Sequence, residues 1–177
     1  MISAVGKIRF ARAIAAAAPV AASLSFISTG MAQQSALQAQ DRMMCNDPKS
    51  GDDETITGCS DLIKSGRDSK HTLAADFNNR GFAYYDKADY DRAIADYNQA
   101  IKLDPKFAQA YNGRCAAHNK KGEIDQALAD CNQAIQLDPK LAFAYNNRGI
   151  AKRARGDTAG GDADIARAKE LDPNIGK

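Results

Sequence analysis

The sequence predicts an all-α protein: an α-solenoid of three 34-residue helix-turn-helix repeats, with a half-repeat helix in front of them. Three observations carry this. Residues 78–105, 112–139 and 146–173 are copies of one pattern, each opening on Asn-Xaa-Arg and ending in Leu-Asp-Pro. The closing prolines, Pro105, Pro139 and Pro173, stand 34 residues apart with no insertion. Within each copy, two stretches of helical periodicity flank a short breaker: Ala88-Asp89, Gly122-Glu123 and Gly156-Asp157. A fixed period of this length decides the architecture before any other reading.

In chain order, residues 1–32 read as a signal peptide. Lys7, Arg9 and Arg12 make a basic start without acids, residues 13–27 are mainly apolar, and Gly30 and Ala32 form a small-Xaa-small exit before Gln33. The apolar stretch is shorter than the ~20 residues a membrane span needs. Cleavage after Ala32 is expected, with export to a bacterial periplasm or the extracellular space. No membrane insertion is expected after removal. The whole chain has 24 basic and 22 acidic residues, and loss of the three leader cations leaves a slight negative excess. No basic stripe remains to neutralise phosphates, so nucleic acid is not an expected partner.

Residues 33–53 read as a flexible leader carrying Cys45. Residues 54–73 read as a capping helix and linker, because Ile56, Cys59, Leu62 and Ile63 fall at helical spacing. That segment aligns with the second helix of the first repeat. The repeats then occupy 74–107, 108–141 and 142–175. Their first helices are expected near 73–87, 109–121 and 143–155, and their second helices near 90–103, 124–137 and 158–171. Each proline ends a second helix, since it cannot continue one and restricts the residue before it.

The columns of the repeat resemble the tetratricopeptide repeat. They comprise an aromatic (Phe77, Tyr111, Tyr145), a small residue (Gly81, Cys115, Gly149), two small columns on the second helix (Ala93, Ala127, Gly161 and Ala100, Ala134, Ala168) and the proline. The resemblance implies a right-handed solenoid in which each unit buries its apolar face only against its neighbours. It also implies a protein-binding or peptide-binding role through the groove of the first helices. Tyr90, Ile94 and Ile101 become Thr158, Asp162 and Lys169 in the third copy, so the last face is expected to be polar.

One departure is systematic. Arg80, Arg114 and Arg148 stand where the family usually has Leu, and Asp96, Asp130 and Asp164 follow each by 16 residues. Structural ion pairs between them are expected. In the same repeat register, Cys115 replaces the contact glycine and Cys131 the ring opposite. A Cys115–Cys131 disulfide is therefore expected, with buried free thiols as the alternative. Cys45–Cys59 is the remaining pair.

The candidate peptide-binding stripe is Asn78, Phe82 and Tyr85, then Gln109, Asn112 and Asn119, then Phe143, Asn146 and Arg153. Asn offers a donor and an acceptor together, which suits an extended backbone. Asn79, Gly113 and Asn147 form the neighbouring column. Some family members grip a C-terminal carboxylate with basic residues in this groove. The matching positions here, Asn78, Phe82, Gly113, Phe143 and Asn147, include no base, so that mode is not expected. No catalytic constellation is expected, nor a cofactor. A Cys115/His118/Cys131 metal or enzymatic site is a weaker alternative, short of a fourth ligand. A structural subunit of an envelope assembly is another.

Overall fold

The computed structural model describes residues 20–47 and 49–176. Among them are eight α-helices and no strand: α1 (Val20–Asn46), α2 (Asp52–Ser65), α3 (Lys70–Asp86), α4 (Tyr90–Leu103), α5 (Ala108–Lys121), α6 (Ile124–Leu137), α7 (Ala142–Ala154) and α8 (Thr158–Leu171). The basic start of the expected signal peptide, and much of its apolar stretch, lie outside the described residues. The chain divides at Ala36. Up to that point the described residues are α1 helix; everything below concerns the unit from Leu37 onward.

The six helices α3 to α8 form three consecutive pairs, each first helix packed on its second and each second helix on the next first helix. The breaker between helices needs a left-handed residue. Gly122 (φ 76°) and Gly156 (φ 96°) supply it, but the first repeat uses Ala88 at φ 59°. A Cβ in that region costs on the order of 1 kcal/mol. Ala88→Gly is expected to raise stability by up to about 0.5 kcal/mol, because the gain is partly offset by added freedom in the unfolded chain. Urea unfolding of the variant checks this.

Small residues let the helices meet, and one large ring fills the space they leave. Tyr97, on α4, is only 2% exposed and packs with Ala93, Ala100, Ala110 and Ala117. A Cβ on Gly113 of α5 would lie 2.5 Å from that ring, so the glycine is what admits it. In the third pair, a Cβ on Gly149 would meet the Gly161 carbonyl oxygen at 2.8 Å. Gly161 thus serves close approach as well as weakening α8. Beyond α8, Ile175 folds onto Ala142 and Ala168, and Thr158, Asp162 and Lys169 are exposed.

Two features at the front differ from expectation. The sequence predicts a flexible leader over 33–53, whereas helix α1 runs to Asn46. The segment from Gln33 to Asn46 is rich in Gln, with Ala and Met, and free of Gly and Pro, so local helix propensity prevails over its polar look. The end of α1 lies against α2, where a Cβ on Gly58 would be 2.6 Å from the Asp41 carbonyl oxygen. The expected half-repeat helix therefore has a partner helix in front of it.

That front pair is held by a group with no counterpart in the repeat pattern. Asp76 on α3 is fully buried; Arg42 Nη1 donates to its Oδ1 at 2.8 Å, and Arg42 Nη2 donates to Asp68 at 2.6 Å. Asp76 Oδ2 is buried without a partner. Burial pushes its carboxyl up to about 6, against the opposing pull of Arg42. In the unfolded chain an aspartate titrates near 3.9. The folded state therefore holds the proton more tightly, and the stabilisation from protonation is complete below about pH 4 and lost as pH rises through 6. Compared with Asp76→Asn, the native protein is expected to lose on the order of 2 kcal/mol between pH 4 and 7. Paired denaturant titrations across that window measure the difference.

Candidate functional site

The first helices α3, α5 and α7 share one face, and three large apolar side chains stand exposed on it: Phe82 (58%), Phe143 (57%) and Ile150 (47%). At the α3 and α5 end the face deepens into a pocket of about 430 Å³. Asn78, Phe82, Gln109 and Asn112 of the expected stripe line it. Asn46, Asp47, Asp52, Asn79, Asp86, Gly113 and Tyr97 line it as well. Sequence reasoning missed the wall from α1 and α2, because that wall depends on a helix pair outside the repeat pattern.

The remaining stripe residues divide. Phe143 is exposed and Asn146 half-buried on α7. Asn119 donates to the Asn147 carbonyl at 2.8 Å, and Asn147 donates to Asn112 Oδ1 at 2.9 Å. The two columns thus tie α5 to α7 as well as facing the groove. Asn79 does the same toward α1, donating to Asn46 Oδ1 at 2.8 Å. Tyr85 is placed differently from expectation. It packs into the first core cluster against Tyr90, with ring centroids 5.5 Å apart, because the turn at Ala88 brings α4 beneath it. Arg153 also turns away, pairing through Nε with Asp162 of α8 at 2.7 Å, since Gly161 leaves its stem room to cross.

The arginine column lies within the helix pairs. Arg80, Arg114 and Arg148 each donate through Nε and Nη2 to both oxygens of Asp96, Asp130 and Asp164, at 2.6–2.8 Å. Their Nη1 atoms reach the preceding second helix: Ser60, Asn98 and Asn132 respectively. Each guanidinium also sits 5.4–5.6 Å from the ring of Phe77, Tyr111 or Tyr145. Each guanidinium nitrogen thus donates inside the fold, which ties consecutive repeats together.

The cysteines are bonded as two pairs. Cys115–Cys131 joins α5 to α6 with Cα atoms 5.5 Å apart, and Cys45–Cys59 joins α1 to α2 at 4.7 Å. In this form neither Cys115 nor Cys131 has a thiolate to offer a metal. His118 is occupied elsewhere, with Nδ1 2.5 Å from Glu123 Oε2 and Nε2 3.7 Å from Asp130 Oδ2.

The architecture is that of a helical-repeat solenoid: paired helices fixed by ion pairs and disulfides, with an exposed groove on the first helices. The chain belongs to the tetratricopeptide repeat family. Family models described as "TPR repeat" and "Tetratricopeptide repeat" match residues 81–122 and 108–141. Among solved structures, the chain is 28% identical to the first TPR of Spaghetti (RPAP3) bound to the HSP90 peptide SRMEEVD. That match covers 60% of this chain and 84% of the other, at TM-score 0.57. The TPR2B domain of yeast Sti1, in complex with pHsp70, is 31% identical over 58% of this chain and 82% of its own, at TM-score 0.54. MamA, at 19% identity, shares the fold over 77% of each chain with TM-score 0.63. No curated protein matches the chain in sequence.

Proposed function

We propose that the protein is an exported, non-catalytic tetratricopeptide repeat module that binds an extended protein segment along the groove of α3, α5 and α7. The observation that carries this is the exposed row of Phe82, Phe143 and Ile150 beside an amide-lined pocket. Apolar side chains of this size on one face mark a surface built to be covered. Two similar structures hold peptides: the first TPR of Spaghetti (RPAP3) holds the HSP90 peptide SRMEEVD, and the second TPR domain of human RPAP3 holds the HSP70 peptide SGPTIEEVD. Export is supported by the composition of residues 1–32 and by two buried disulfides, which persist in oxidising compartments.

A photo-crosslinking residue placed at Phe82 or Phe143 in the source cell tests the groove, with exposed Gln99 on α4 as control. Adducts are expected at the two groove positions and not at Gln99. Equal labelling at Gln99 would reject the groove assignment. Mass spectrometry of the protein from fractionated cells tests export: a chain starting at Gln33, outside the cytoplasm, is expected.

A further inference from the structure

The pocket at the α3 and α5 end of the groove is acidic. Asp47, Asp52 and Asp86 line it, and among the described residues no Lys, Arg or His does. Of the neighbouring lysines, Lys87 Nζ is held on Asp53 at 2.9 Å and Lys121 Nζ on Asp91 at 2.7 Å and Glu123 at 2.8 Å, while the exposed Lys49, just along the chain from Asp47, does not line the pocket. Asp86 has no ion-pair partner among the described residues, and burial together with the Asp52 carboxylate holds its carboxyl above the usual range. No cation that lines the pocket balances these acids.

A second feature points into the same space. Tyr97 crosses from α4 through the gap at Gly113, and a Cβ on Gly113 would lie 2.8 Å from its hydroxyl oxygen. The side chain is 2% exposed, it lines the pocket, and its hydroxyl has no hydrogen-bond partner among the described residues. Its hydroxyl oxygen is not among the enclosed unpartnered atoms of the described residues, Asp76 Oδ2 and Asn119 Oδ1, so it opens to the pocket and can meet a ligand there. Phe82, 58% exposed, stands on the same wall and offers an apolar surface and a ring face.

We propose that this pocket receives an arginine or lysine side chain of the bound segment, its stem along Phe82 and its charged head among Asp52, Asp86 and the Tyr97 hydroxyl. The proposal rests on the peptide-groove reading above and adds the chemistry of the partner. A cationic head supplies several N–H donors at once, which suits a wall made of carboxylates and one free hydroxyl oxygen. Its alkyl stem covers apolar surface while the head stays polar, and a ring such as Phe82 attracts it further. The peptides named with the relatives, SRMEEVD and SGPTIEEVD, end in Glu-Glu-Val-Asp. The same pocket disfavours such acidic ends through like-charge repulsion.

The test uses the full oxidised chain and fluorescein-labelled peptide mixtures with degenerate Ala, Asn and Leu positions around one fixed central residue: Arg, Lys, norleucine or Glu. Anisotropy titrations are expected to show the Arg and Lys mixtures binding about tenfold more tightly than norleucine, with Glu weakest. Asp52→Asn with Asp86→Asn should bring Arg and norleucine within about twofold of each other, and Tyr97→Phe should narrow the gap while keeping the ring. Circular dichroism melts verify that both variants fold. Equal binding of all four mixtures, or preference for Glu, overturns the proposal and leaves the groove reading standing. Binding of none overturns both. A preference for Arg and Lys that survives the double Asp variant places the charge recognition elsewhere and also overturns it.

Discussion

Arg114→Met is expected to lower the unfolding free energy by about 3 kcal/mol, the largest effect of any single side-chain replacement considered for this fold. Asp130 is 7% exposed and receives both Nε and Nη2 of Arg114, at 2.8 and 2.6 Å. Once the guanidinium is gone, its carboxylate keeps only the distant His118 Nε2, at 3.7 Å. An unpaired charge in that setting costs far more than the pair contributes beyond an apolar substitute. Arg114 also holds Asn98 of the preceding repeat, so the loss crosses a repeat boundary. The double variant Arg114→Met with Asp130→Leu should recover most of the stability, because no buried charge remains. Chemical unfolding of the two variants decides the matter. A single variant costing less than about 1 kcal/mol would show the pair to be solvated like a surface bridge.

Removing the Cys115–Cys131 disulfide by paired alanine substitutions is expected to cost about 3 kcal/mol, as for other bonds that close a loop of this length. The bonded cysteines are 16 residues apart in sequence and both are fully buried. They sit in the cluster with Ala127, Leu128 and Ala151, which joins the second repeat to the third. The variant's melting temperature should fall and should become insensitive to a reductant acting on this bond. Unchanged melting in the variant would mean that packing alone holds the pair.

The repeat register made much of this legible in advance. Second helices α4, α6 and α8 begin and end where the breakers and prolines indicate, because glycine conformation and proline sterics act locally. The arginine and aspartate columns were also legible, since residues 16 apart in a helix hairpin face one another. The cysteine columns follow the same logic. The candidate groove was legible only in part. Phe82, Asn78, Gln109 and Asn112 do share a pocket, but Tyr85 is drawn into the core by Tyr90 and Arg153 onto α8 by Asp162. Helical spacing assigns a residue to a face; a long side chain at the edge of that face goes to whichever neighbour offers a partner.

By itself, then, the sequence determined the period, the helix pairs, the ion-pair columns and the expected pairing of cysteines, all consequences of local sterics repeated in register. Only the tertiary structure decided what stands in front of the array. The pairing of α1 with α2, the burial of Asp76 under Arg42, and the acidic wall of Asp47 and Asp52 beside Tyr97 bring together residues that no period relates. Their proximity arises because Gly58 and Gly113 leave gaps that a backbone and a ring fill, and a gap is a property of two packed surfaces rather than of either sequence.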